Sequence, residues 1–306
     1  MTYGTTVNAT VLRVVDGDTL RVRLDGKEES LRISALDTEE SNRGSSTKPV
    51  TPHGKAAKQA AQKFFPINSQ ITLEFAGSEP LEVCLEKYRD NYGRLLVFVH
   101  KDGKDYQEHM ILEGYSPYFV KYGNVNFPEY HQRYIQAERE AQSERRGIWD
   151  QIQANGSEIN NYALLTTWWH LRAAVIDEYR SLKVTMPTIL NTRLDYARLI
   201  ELAKDKKKAT VFTELRSFKR IRGNHLIIDI GSEQQPFQVF IADLERENSQ
   251  QVMELLVNRY LSDDVTHPRR NYAYVTGALQ LFQNRQDLPP IVQLKVTSID
   301  QITDQP

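Results

Sequence analysis

The sequence predicts an α+β protein, mainly β with helices, in which two small five-stranded barrels are joined by a helical connector. Three observations carry this reading. Short β-branched or alternating runs fall in two sets, one up to His100 and one after Ala209, and each set has a helical stretch between its third and fourth strands. Between the sets, apolar residues recur at helical spacing. The chain has 306 residues, too long for one small core on the usual scale of ~100–200 residues per domain. The expected units are residues 1–152, a connector over 153–208, and residues 209–306.

In chain order, Val7 to Val15 is β-branched, Thr19 to Leu24 alternates with Arg21 and Arg23 facing out, and Ser30 to Ile33 alternates again. Asp25-Gly26 is a tight hairpin signal between the last two of these runs. The polar stretch from Ser41 to Pro52, with Gly44 and two prolines, reads as a long mobile loop. A helix follows, with Ala56, Ala57, Ala60, Ala61, Phe64 and Phe65 at helical spacing and Lys55, Lys58 and Lys63 on other faces. Gln70 to Phe75, Leu81 to Leu85 and Leu95 to His100 supply further strands. Cys84 falls in the second of these as a small buried hydrophobe. Helices from about Gln107 to Glu113 and from about Pro128 to Arg146 close the half, the latter stopped by Gly147. Many short strands with a helix between the third and fourth suggest a Greek-key barrel of the oligonucleotide-binding (OB-fold) type.

The connector is helical around Trp168, Trp169, Leu171, Ala174 and Val175, and again around Leu194, Ala197, Leu199 and Leu202, with Pro187 dividing it. The Lys204 to Lys208 run reads as a solvated helix end. Strands return at Thr210 to Leu215, Leu226 to Ile230, Phe237 to Ile241, Tyr272 to Thr276 and Ile291 to Val296, with a helix from about Ser249 to Tyr260. This repeats the order of the first half, and a second OB-like barrel is expected. Arg216, Lys219, Arg220 and Arg222 with Phe218 form a basic, aromatic-bearing segment there. It reads equally as a track for a nucleic-acid strand and as a charged hairpin.

Composition narrows the function classes. Hydrophobic residues make up 40% and charged residues 26%, ordinary for a globular chain. A net charge of −1 gives no overall positive field, so any hold on nucleic acid depends on local placement. The single cysteine excludes an intrachain disulfide framework. No apolar run is long enough to span a bilayer, so no membrane role is expected. No basic-then-apolar leader opens the chain, so either the protein stays inside the cell or a secretion signal precedes this sequence. Nothing in the residues names a protein partner.

Three clusters carry chemistry: Asp16-Gly17-Asp18-Thr19, Arg32 with Asp37-Thr38-Glu39-Glu40, and Asp90-Asn91-Tyr92-Gly93-Arg94. Singly, each reads as a turn or a solvated loop edge. Together they supply what phosphodiester hydrolysis near neutral pH requires: a hard cation on the phosphoryl oxygen, a base for water, and positive groups matched to charge developing on phosphorus. Calcium prefers several oxygen ligands, which Asp18, Asp37 and a backbone carbonyl such as that of Thr38 can provide. The seven histidines show no zinc-type pairing.

From about Val7 to Trp149 the chain resembles the staphylococcal nuclease (thermonuclease-like) family. The resemblance rests on Val15-Asp16-Gly17-Asp18-Thr19, on Arg32 ahead of Asp37-Thr38-x-Glu40, on the Gly54-containing helix start, on Tyr92-Gly93-Arg94, and on Gly147-Ile148-Trp149. It implies an OB-fold barrel and calcium-dependent hydrolysis of DNA and RNA that leaves 3′-phosphates. It further implies calcium held by Asp18, Asp37 and the Thr38 carbonyl with Asp16 in the outer shell, Glu40 as general base, and Arg32 and Arg94 clamping the phosphate. Tyr92, Tyr118 and Tyr122 are the nucleic-acid-binding candidates it implies, and Tyr115 lies in the same stretch. Two positions depart from the family. Glu39 stands where Pro is usual, which implies a looser loop with an extra carboxylate near the metal, and Asn91 stands where the best-known member has Lys. The alternative is a nuclease-like module that binds without cutting, but such modules lose the acidic and arginine positions that this chain keeps.

Overall fold

The computed structural model describes residues 2–42, 49–120, 127–150, 162–261, 269–283 and 289–306. The chain divides into two compact units, Met1–Asp90 with Arg94–Trp169, and His170–Pro306 with Asn91–Gly93. Each is taken by itself.

In the first unit, β1 (Thr6–Asp16), β2 (Thr19–Leu24) and β3 (Lys27–Ile33) form an antiparallel meander. Leu20, Val22 and Leu24 point inward while Arg23 faces water, the period-two pattern of a half-buried strand. Asp25 (φ 51°) and Gly26 (φ 77°) both take the left-handed conformation that a two-residue hairpin turn needs. Strand β4 (Gln70–Glu74) pairs with the first half of β1, and β5 (Leu95–Lys101) pairs antiparallel with β4. The barrel closes through a parallel pairing of β3 with β5, in which Arg32 stands opposite Leu96. A short β6 (Lys104–Asp105) turns back from β5.

Helix α1 (Pro52–Phe64) begins where expected. Thr51 caps it by accepting from the Gly54 amide, Pro52 fills its first turn, and Gly54, Ala57, Ala60 and Ala61 are its buried residues. Within the expected loop from Ser41 to Pro52, residues 43–48 lie outside the described residues.

One expected strand is a helix. Leu81–Lys87 forms α2, with Cys84 as its buried residue. An alternating strand would have placed Val83 on one face with Leu81 and Leu85, yet Val83 is exposed, and Leu81, Cys84 and Leu85 share a helical stripe. Cys84 is buried as the sequence suggests, and burial pushes its thiol up.

Helix α3 (Tyr106–Leu112) is capped by Asp105, and α4 (Pro128–Ser143) ends before the expected stop. The chain reverses at Arg145 (φ 54°), and Gly147 opens a single 3-10 turn in which the Ile148 amide donates to Gly114 O at 2.9 Å. A side chain at Gly147 would meet the Gly114 carbonyl at 2.2 Å. A close approach of two backbones, rather than the end of α4, therefore requires this glycine.

A buried carboxylate sits at the start of β1. Glu74 accepts from the Gly4 amide (2.8 Å), Tyr130 (2.6 Å) and His100 (2.7 Å). Burial disfavours its charge, but the donors from His100, Tyr130 and the backbone outweigh that and hold it below the ordinary 4.5. A depressed folded-state value means stability that is present above the unfolded value and lost as pH falls through the folded one. Glu74→Gln is therefore expected to destabilise the unit at neutral pH and to flatten the loss of stability as pH falls below the ordinary value of 4.5, read by urea melts on the acid side of neutrality. An acid limb as steep as wild type would assign the acid sensitivity elsewhere.

Helix α5 (Tyr162–Thr185) contributes its first residues, through Trp169, to the first unit. The second unit adds β7 (Leu190–Asn191), α6 (Tyr196–Lys204), β8 (Lys208–Glu214), β9 (Lys219–Ile221), β10 (His225–Asp229), β11 (Phe237–Ile241), α7 (Glu247–Leu255), β12 (Tyr272–Phe282), β13 (Ile291–Val296) and β14 (Ile302–Thr303). Its pairings repeat those of the first barrel: β8 with β12, β12 with β13, β13 parallel to β11, and β11 with β10. Strands β8 and β9 take the places of the two halves of β1, with β9 pairing β10. The core combines aliphatic residues, including Val211, Leu226, Val239, Ile241, Val275, Leu279, Val292 and Leu294, with aromatic ones such as Phe237 and Tyr260. Strand β9 carries Lys219 and Arg220 of the basic segment; its three residues are exposed and Lys219 pairs with Asp229 at 2.8 Å. Among the described residues, no helix is long and apolar enough to cross a membrane.

Candidate active site

The site grows from the ends of three strands. Between β1 and β2 the chain turns at Gly17, where an added Cβ would stand 2.7 Å from the Thr38 methyl, and buried Tyr106 donates its hydroxyl to Gly17 O at 2.7 Å. Asp18 is thereby held under the loop after β3. Its Oδ2 accepts from the Thr38 amide at 3.0 Å, its Oδ1 from Thr19 Oγ1 at 2.9 Å, and it forms an ion pair with Arg32. Arg32, opposite Thr19 across β2 and β3, also reaches Asp37 Oδ1 with Nη2 at 2.8 Å. One guanidinium thus bridges the two carboxylates.

Asp37 is delivered by a turn at Ala35, whose φ of 65° is unusual for a residue with a side chain, and its amide donates to Ser116 Oγ at 2.9 Å. Asp16 accepts from the Gly17 and Ser41 amides; burial, reinforced by Asp18, leaves its carboxyl above the ordinary range despite those donors.

Arg94 immediately precedes β5, so the parallel β3–β5 pairing brings it to the end of the barrel that carries Arg32. Asp90, fully buried, accepts from the Arg94 amide at 2.9 Å, Nε at 2.7 Å and Nη2 at 2.6 Å. Nη1 lies 3.4 Å from Thr19 Oγ1, which links Arg94 to Asp18. Asp18, Arg32, Asp37, Thr38 and Arg94 therefore form one connected group.

Glu40 is placed by its backbone. Its carbonyl accepts from the Thr51 amide at 3.1 Å, it bridges Val50, and Gly54 packs so closely that a Cβ there would come within 2.1 Å of that carbonyl. The start of α1 is thus the seat of Glu40. Glu39 differs from the expectation of a loose loop. It is 7% exposed, and its carboxylate accepts from Thr51 Oγ1 and the Tyr162 hydroxyl.

The tyrosines separate. Tyr92 is 79% exposed and belongs to the second unit. Tyr118 is 7% exposed, packs edge-on against Tyr134 with centroids 5.6 Å apart, and pairs its hydroxyl with His131 Nδ1 at 2.7 Å, leaving its ring little surface for a base. Tyr122 lies outside the described residues.

The donor set at Asp18, Asp37 and Thr38 consists of oxygens, and the buried Thr38 hydroxyl oxygen makes no hydrogen bond. Among the described residues, no group of three or more His, Cys, Asp or Glu gathers as a metal cage. Two carboxylates with a carbonyl fit a hard cation that keeps water in its shell, not a zinc centre.

Sequence reasoning missed Asp90 as the holder of Arg94, although it stands four residues away in the same cluster. It also missed Tyr106 and Ser116, whose partners are 89 and 79 residues distant, so no local pattern marks them.

The family described as staphylococcal nuclease homologue matches residues 30–151. The chain is 34% identical over 144 residues to endonuclease YncB of Bacillus subtilis, covering 47% of this chain and 62% of that protein. It is 32% identical over 139 residues to a thermonuclease of Staphylococcus hyicus, 45% of this chain and 73% of the relative. A thermonuclease of Staphylococcus intermedius is 32% identical over 140 residues, 46% and 74% of the two chains. The chain belongs to the staphylococcal nuclease homologue family. It spans less than two thirds of the Bacillus protein, and the shared part is roughly its own first half.

Proposed function

We propose that the first unit is a calcium-dependent phosphodiesterase that hydrolyses DNA and RNA with low sequence specificity and leaves 3′-phosphates. The observation that carries this reading is the bridging of Asp18 and Asp37 by Arg32, with Arg94 joined to the same group through Thr19. Asp18, Asp37 and the Thr38 carbonyl would hold calcium, with Asp16 behind them. The ion would polarise a phosphoryl oxygen and draw the phosphate into the cleft. Glu40, seated on the start of α1, takes a proton from the attacking water. Arg32 and Arg94 stabilise charge developing on the phosphoryl oxygens, and their positions are fixed by the barrel pairing and by Asp90 before substrate arrives. Tyr92 and Tyr122 are the candidates for stacking a nucleobase.

Incubation of the purified protein with plasmid, denatured DNA and RNA, with calcium and then with chelator, tests this. Cleavage of all three that requires calcium is expected. Binding of single strands that calcium leaves intact would replace the reading with that of a binding module.

A further inference from the structure

The hydroxyl of Tyr162 and the carboxylate of Glu39 meet beside the candidate base. Glu39 directly precedes Glu40, is buried, and accepts from two hydroxyls: Thr51 Oγ1 at the N-cap of α1 and the Tyr162 hydroxyl at the first residue of α5. Thr51 completes a relay, donating its hydroxyl proton to Glu39, accepting from the Gly54 amide at 2.9 Å, and donating its own amide to Glu40 O at 3.1 Å. Tyr162 is itself fixed, 3% exposed, with its ring edge-on to Trp149 at 5.8 Å and 6.0 Å from Trp169. All of these groups belong to the first unit.

We propose that Tyr162 is a positioning residue for the Glu40 segment, acting through the Glu39 carboxylate. The start of α5, outside the residues 30–151 that match the family, is then part of the catalytic unit. Glu39 fits this role physically. A carboxylate has acceptors for both hydroxyls at once, whereas a proline at that position would accept neither. A buried carboxyl group bonded by both hydroxyls is held in place by them, so removing one loosens the carboxyl group and the peptide behind it. Small displacements of a reacting group carry large rate penalties.

The proposal rests on the nuclease reading, and the test separates the two. In the full chain, Tyr162→Phe keeps the ring and removes the hydroxyl. Its kcat is expected to fall about tenfold with KM within roughly twofold, measured far below the melting temperature. Glu39→Gln, which retains an acceptor for one hydroxyl, is expected to fall between Tyr162→Phe and wild type. The second readout needs no activity: amide hydrogen exchange of Thr38 to Ser41 should quicken in Tyr162→Phe while the middle of α1 is unchanged. Unaltered exchange at those amides overturns the proposal even if the wild-type protein proves inert. A loss of kcat that only follows the folded fraction overturns it as well. Inert wild-type protein with quickened exchange sinks the nuclease reading alone.

Discussion

Replacing Arg94 by Gly is expected to lower kcat by about a hundredfold or more, ~2.7 kcal/mol of transition-state stabilisation, with a much smaller change in KM. The guanidinium is spent in two directions. Nε and Nη2 lie on Asp90, and Nη1 is left on the side of Thr19 and Asp18. Because Asp90 is fully buried and also takes the Arg94 amide, it fixes the plane of the guanidinium instead of competing for it in solvent. A lysine has one nitrogen and cannot both satisfy Asp90 and face the phosphate, so Arg94→Lys should recover folding but little of the rate. Initial rates on a short labelled strand, with melting curves for both variants, check this. A rate within a few fold of wild type for either variant would remove Arg94 from the chemistry.

The legible part of this molecule is the part whose signal is local. The hairpin at Asp25-Gly26, the inward Leu20, Val22 and Leu24, and the alanine-rich helix with Gly54 near its start each depend on neighbours within a few residues, and each is observed. The clusters around Asp18, Asp37 and Arg94 were visible because turns concentrate chemistry in short stretches. What holds them was not. Ser116 reaches Asp37, Tyr106 reaches Gly17 and Tyr162 reaches Glu39 across 79, 89 and 123 residues, and a serine or tyrosine carries no mark of a distant partner. Short elements also escaped. Strands β7 and β14 have two residues each and β9 has three, too few for a period, and Leu81–Lys87 satisfies both alternating and helical spacing until burial decides. Tyr272–Phe282 runs past its expected end at Thr276 because Gly277 interrupts the pattern without breaking the pairing with β8.

Arg32 separates stability from catalysis. Its side chain is 12% exposed and bridges Asp18 and Asp37, at 10% and 24%, so removing it leaves two poorly solvated carboxylates on each other's doorstep. Breaking such a pair by deleting one partner costs ~3–5 kcal/mol, far more than the intact pair contributes over an apolar replacement. Arg32→Gln is therefore expected to melt roughly 10 °C lower than wild type in chelator, at ~2–4 °C per kcal/mol for a unit of this size. Calcium should then act differently on the two proteins. In wild type a bound cation would share both carboxylates with the guanidinium, whereas in Arg32→Gln it would meet them without that competitor, and a ligand that binds the folded state stabilises by RT ln(1 + [L]/Kd). The calcium-induced rise in melting temperature should be larger in Arg32→Gln, while cleavage stays low because the clamp on the phosphate is gone. Equal calcium shifts in the two proteins would mean that Asp18 and Asp37 do not hold the ion. An unchanged melting temperature in chelator would mean that the bridge does not hold the site together.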